Sequence, residues 1–394
     1  MTRRSTSSRF EEKDEVTACG CGFENSSADK QGSATENRGE SRQDSVVKKD
    51  SMIDQRSMVG YDSFAFGNKP FLLSPAGKDY LWGGQRLNDE YAKNINLSPL
   101  AETWECSTHP DGPSVVASGE YEGMTLAEVL KAHPEFLGTH PISVIGEGIP
   151  ILVKLIDAKN DLSVQVHPSD EYAKEHENGQ LGKTEMWYVV DAEPGAELVY
   201  GFKNEVTKEQ VRASIADGSI EKYMHTVPVH KGDMFYIESG TVHAIGGGIL
   251  IAEIQESSNL TYRLYDYNRI DKNGRLRELH IEKALDVMNY SSSAEPRQPM
   301  RKLQYKPGSA YELLSRCKYF QVERMLVNTE RIKTMAEFQS SDTSFEVLLC
   351  IDGCGVMFGE DVSINIFRGD CIFVPANSEK LKIHGKAEFL RISC

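Results

Sequence analysis

From about residue 150 onward the chain alternates polar and apolar side chains in short runs, each cut off by Gly, Pro, Asn or Asp. Residues 162–167, 185–190, 234–237, 249–254 and 371–374 all read this way. Period-two alternation marks strands with unlike faces, and many short strands joined by tight turns close into a barrel or stack as a sandwich. A gapless internal repeat narrows the choice. Segment 232–243 (GDMFYIESGTVH) aligns with 369–380 (GDCIFVPANSEK): each opens on a Gly-Asp turn, enters a strand and reaches a second turn. A further strand and turn at 347–353 precedes the second copy. The expected fold is therefore mainly β, a duplicated double-stranded β-barrel or jelly roll with a few helices. Two of those helices announce themselves by capping boxes, Thr125 with Glu128 and Thr207 with Gln210.

Residues 1–60 are polar, with 10 basic and 11 acidic side chains, and hold too few large apolar groups to offset the entropy of ordering. They are expected to be a disordered tail, with order starting near Lys69-Pro70. Residues 61–300 would then form a metal-binding catalytic domain with helical insertions, and 301–394 a C-terminal β domain without ligands, since Lys380 stands where the first repeat has His243. The net charge of −15 lies almost wholly outside the tail. Such an acidic protein is a poor partner for nucleic acid or an anionic membrane, and any phosphate ligand demands a local basic pocket. No apolar run reaches membrane-spanning length and no secretory h-region is present. The eight cysteines lack framework spacing, which predicts reduced thiols and a cytoplasmic location; Cys19 and Cys21 read as role-free thiols of the tail.

The chemistry concentrates on four segments. In 162–167, alternation sends Leu162, Val164 and Val166 to one face and Ser163, Gln165 and His167 to the other. In 183–187 it puts Lys183, Glu185 and Trp187 on one face, and the first repeat then delivers His243. Alone, each residue reads as a satisfied polar group on a sheet. Together, two imidazoles, a carboxylate and an amide oxygen from separate strands of one barrel suit a borderline divalent cation, for which zinc is the expected ion. The 249–254 strand reads as buried, so Glu253 on it wants a purpose, and Arg263 follows ten residues later. Gly246, Gly247 and Gly248 read as a turn after His243.

The ordered set YLWGGQR (80–86), ETWECS (102–107), VKLIDA (153–158), SVQVHP (163–168), GKTEM (182–186) and GTVHA (240–244) resembles the type I mannose-6-phosphate isomerases, short bacterial form, of the cupin superfamily. The resemblance covers about residues 69–394. It implies one Zn2+ per subunit on Gln165, His167, Glu185 and His243, Arg263 at the catalytic pocket, and Lys183 and Ser163 beside the substrate. It also implies a sugar-phosphate aldose–ketose isomerase working through a cis-enediol; the sequence does not fix the oligomeric state, for which a monomer is the favoured expectation. Asn259 departs from the Asp expected there, which makes Glu253 the candidate base, with Arg263 and Lys183 as the other catalytic candidates. Two alternatives stay open: a non-catalytic sugar-phosphate binder, or another metal-dependent cupin enzyme such as an iron oxygenase.

Overall fold

In a computed structural model, residues 68–141, 148–270, 274–294, 296 and 301–394 are described; the expected polar tail with its Cys19 and Cys21 lies outside them. The two capping boxes do what the sequence requires. Thr125 caps the helix Leu126–Ala132, and Thr207 caps Lys208–Ala216, each side chain accepting from the third backbone N–H while Glu128 or Gln210 reaches back.

The strands assemble into three sheets of ten, six and five strands. The six-stranded sheet carries the longest apolar runs. Its inner strands Ile151–Ala158 and Ile249–Glu256 are buried at every position, because both faces of this sheet are covered. Val153, Leu155, Met186, Tyr188, Leu250, Ala252 and Ile254 face one core, shared with Val347, Leu349, Leu390 and Ile392 of the ten-stranded sheet. Their alternates Ile156, Trp187, Val189, Ile249 and Ile251 face another, shared with Leu198 and Ile245 of the five-stranded sheet. The six- and five-stranded sheets thus enclose a lumen between them. On its outer face the five-stranded sheet sets Val164, Val166 and Leu264 against the helices Lys208–Ala216 and Ile281–Val287.

Leu162 departs from the expected face. It precedes the short strand Val164–Val166 and joins the lumen core, since alternation holds only once the chain is in the ladder.

The ten-stranded sheet has its own inner core of Leu348, Cys350, Ile372, Val374, Ile383 and Phe389. It draws on both ends of the chain: Phe71–Ser74 pairs antiparallel with Cys371–Val374, with Phe71 opposite Phe373, and Val115–Val116 extends the edge. The repeat units appear as Met234–Ile237 and Cys371–Val374, and Lys380 is exposed. No helix among the described residues is long and apolar enough to cross a membrane.

Candidate metal centre and active site

Two rows of side chains face each other across the lumen. On the six-stranded sheet, Trp104, Lys154, Glu253 and Trp187 are successive register partners on four neighbouring strands, and Glu185 pairs with Gln255 two residues on. On the five-stranded sheet, His243, Gln165 and Arg263 are likewise partners across three strands. Register, rather than loop flexibility, therefore holds the site.

His167, Glu185 and His243 come together as one buried cluster whose ligand atoms lie within 4.8 Å of one another. His167 Nε2 is 3.5 Å from Glu185 Oε2, and His243 Nε2 is 3.3 Å from Glu185 Oε1. Each imidazole uses Nδ1–H to donate to a backbone carbonyl, Leu260 O for His167 and Thr241 O for His243, both at 2.8 Å. That fixes the tautomer and leaves each Nε2 as an acceptor on the cluster side, where Lys183 Nζ donates to His167 Nε2 at 3.3 Å. The Gln165 amide lies 3.4 Å from His243 Nε2 and brings its oxygen to the cluster by a half rotation.

Neither oxygen of Glu185 receives a hydrogen bond, although the residue is fully buried. Lys183 Nζ stands 2.8 Å from Oε2 but out of line for one, so it balances charge without satisfying the lone pairs. Burial pushes the Glu185 carboxyl up to about 7 against the pull of Lys183. Burial likewise drives His243 down to about 4 and, with Lys183 and His243 adding repulsion, His167 well below its ordinary value. Two neutral imidazoles aimed at a carboxylate whose lone pairs lack donors are a donor set for a divalent metal ion, and the residues present fit one.

Glu253 sits beside this cluster. Its Oε2 is 2.9 Å from Lys154 Nζ and 4.0 Å from Lys183 Nζ, and Trp187 Nε1–H donates to its Oε1 at 3.1 Å. Burial alone would raise its pKa, but the two ammoniums and the indole outweigh that and hold the carboxyl down at about 2. Lys154 stays protonated for the matching reason: burial opposes its charge, and Glu253 and Glu102 more than restore it. Glu102 is 3.9 Å away and is oriented by Trp104 Nε1–H at 2.9 Å.

A cavity of about 260 Å³ opens onto these groups, lined among others by Glu102, Lys154, Ser163, Gln165, Lys183, Glu253, Asn259, Arg263 and Arg277. Arg263 reaches it from the opposite sheet, its Nε donating to Ser163 Oγ at 3.2 Å and Nη1 to Glu278 O at 2.9 Å. Asn259 lines the mouth, and its amide donates to Asp111 Oδ2 at 3.0 Å. All eight residues singled out from the sequence thus adjoin one cavity or the cluster behind it. Lys154, Glu102 and Arg277 were missed. Lys154 had a readable signal, the lone cation of a strand that is apolar apart from Asp157; Arg277 had none, being in an irregular segment. The three glycines after His243 form a turn, where a Cβ on Gly246 would stand 2.0 Å from Glu197 O.

A model of the phosphomannose isomerase type I catalytic domain matches residues 71–202, and one of the mannose-6-phosphate isomerase cupin domain matches 311–394. A mannose-6-phosphate isomerase of Bacillus subtilis (strain 168) is 39% identical over 321 residues, 81% of this chain and 97% of the relative. One from Streptococcus mutans is 46% identical over 226 residues, 57% of this chain and 70% of the relative. The crystal structure of the mannose 6-phosphate isomerase from Bacillus subtilis superposes with a TM-score of 0.75 at 35% identity, covering 82% of this chain and 99% of that one. The chain belongs to the type I phosphomannose isomerase family.

Proposed function

We propose that this protein interconverts mannose 6-phosphate and fructose 6-phosphate, with zinc on Gln165, His167, Glu185 and His243. The observation that carries the reading is the Lys154–Glu253 pair, buried and facing the cavity beside the His167–Glu185–His243 cluster. Aldose–ketose exchange moves a proton between C1 and C2 and another between the two oxygens, and its barrier is the weak acidity of carbon next to a carbonyl. A bound divalent ion supplies Lewis acidity that stabilises negative charge on the sugar oxygens.

The chain's own residues supply the proton handling. Glu253 is an anion throughout the neutral range and accepts the carbon proton, a role giving roughly 10²- to 10⁴-fold. Lys154 orients it and, with three N–H donors beside the cavity, hydrogen-bonds the oxygens that exchange the second proton through the cis-enediol. Lys183, held by Glu185, presents the second ammonium on the same wall, while Arg263 and Ser163 meet the substrate from the facing sheet. The low pKa of Glu253 makes it a weak base at rest, and burial compensates by strengthening every charge interaction around the reacting atoms.

A coupled assay of mannose 6-phosphate conversion on the purified protein tests this. Activity should vanish on chelation and return with zinc. Full activity in protein that elemental analysis finds free of divalent ions, or no conversion at all by the zinc-loaded protein, rejects the reading.

A further inference from the structure

Four cationic side chains line the cavity: Lys154, Lys183, Arg263 and Arg277. The two lysines are already matched, Lys154 by Glu253 and Glu102, Lys183 by Glu185 and Glu253. Their charge is spent within the six-stranded sheet, so a dianion entering the cavity must find its partners elsewhere. Arg263 is the first candidate, because both of its hydrogen-bond partners are neutral oxygens, Ser163 Oγ and Glu278 O. Burial first, then the charge of Arg277, holds its pKa below the ordinary guanidinium value against the opposing pull of Asp266.

Arg277 completes the arrangement. One edge of its guanidinium is gripped by Asp266, Nε donating to Oδ2 at 2.7 Å and Nη2 to Oδ1. Asp266 is almost fully buried and also accepts from Arg269, Nε to Oδ1 at 3.1 Å. Arg269 is turned aside, with Nη1 on Asp161 O and the guanidinium 5.2 Å from the Tyr267 ring, and it does not line the cavity. Among the described residues Asp266 is the one carboxylate ion-paired with Arg269 or Arg277, and none pairs with Arg263. Among the described residues, three guanidiniums against one ion-paired carboxylate is a local positive excess in a protein of net charge −15, and two of the three line the cavity.

We propose that Arg277, locked in orientation by Asp266, is a specificity-determining residue that grips the phosphate end of the sugar together with Arg263 and Ser163, a deepening that rests on the sugar-phosphate reading. A guanidinium fixed along one edge presents the rest of its planar fork without losing rotamer entropy on binding, and forks of this kind match phosphate oxygens in pairs. The phosphate then lies against the five-stranded sheet, and the sugar's reacting end lies toward Lys154 and Glu253.

Steady-state kinetics and inhibition by inorganic phosphate at constant ionic strength test the assignment on Arg277→Ala, Arg277→Lys and Arg269→Ala. Arg277→Ala should raise both KM for mannose 6-phosphate and Ki for phosphate by ~10- to 100-fold, the loss of a charged hydrogen bond, with kcat within about threefold. Arg277→Lys should recover part of this, since it keeps the charge and loses the fork. Arg269→Ala should leave both constants within about threefold, because it shares Asp266 without facing the cavity. Unchanged KM and Ki in Arg277→Ala, or equal effects in the Arg269 and Arg277 variants, overturns the proposal in favour of a merely structural ion pair. Should Arg277→Ala fold poorly, Arg277→Lys and Arg277→Gln carry the same comparison. A wild-type protein that converts no sugar phosphate rejects the functional reading instead, and calorimetric titration with inorganic phosphate still decides the subsite.

Discussion

Replacing Glu256 by Gln should flatten the dependence of stability on pH across the neutral range. Glu256 is buried and its Oε1 accepts from the backbone N–H of Thr184 at 2.7 Å, while no donor reaches Oε2. The group facing it is Asp170, itself an acceptor from Gly182 N (3.0 Å) and Tyr319 Oη (2.6 Å). Two acceptors face to face are joined only by a shared proton. Burial first, then the charge of Asp170, pushes the Glu256 pKa up to about 8, whereas Tyr319, Glu256, Gly182 and Lys318 together outweigh burial and keep Asp170 low, so the proton belongs to Glu256. Between the ordinary carboxylate value near 4.5 and about 8, the native state keeps a proton that the unfolded chain has lost. Stability must then fall as pH rises through that window, by about 1.4 kcal/mol per unit and roughly 4–5 kcal/mol in all, and level off above it. Glutamine keeps the acceptor for Thr184 and offers Asp170 a permanent N–H. Urea unfolding of both proteins from pH 5 to 9 should show the variant gaining on the wild type with that slope and leading by several kcal/mol at pH 9. Parallel curves would refute the shared proton.

Lys154→Met should lower kcat by at least ~100-fold while leaving the metal content measured by elemental analysis unchanged, because Lys154 touches Glu253 and not the imidazole cluster. A loss of less than threefold removes Lys154 from the proton chemistry. Glu185→Gln should yield protein with far less than one equivalent of bound metal, since it deletes the anionic member of the donor set; stoichiometric metal retained after dialysis contradicts the assigned ligands.

The His167–Glu185–His243 cluster was legible because its residues lie on strands with one polar face: Gln165 and His167 alternate against Val164 and Val166, which pack on helices outside the barrel. Glu253 stood out as a charge in an apolar run. Its partner Lys154 has the same character, and the Ile151–Ala158 strand, like Ile249–Glu256, is buried on both faces, so neither shows an alternation from which a lumen side could be read. Arg277 and Asp266 belong to a segment without periodicity, where only tertiary contacts decide orientation. The pairing of Phe71–Ser74 with Cys371–Val374 was equally hidden: both runs are short and apolar, and no local rule joins residues some 300 positions apart. What the repeat did convey was a second unit with Lys380 in place of histidine, without saying what that unit is for.

Its use follows from the six-stranded sheet. Lys154 and Glu253 point into the lumen, and their neighbours Val153, Leu155, Ala252 and Ile254 point back into the core shared with the ten-stranded sheet. Without that second sheet the backs of the lumen-lining strands would face water, leaving Val153, Leu155 and Ile254 exposed at a cost of about 1.5–3 kcal/mol each. Water behind the sheet would also raise the local dielectric and weaken the Lys154–Glu253 and Lys183–Glu185 pairs, which owe their strength and fixed geometry to being dry. The ten-stranded sheet therefore acts on the cavity electrostatically. It contributes no atom to the cavity and keeps polarisable water away from the charges that line it.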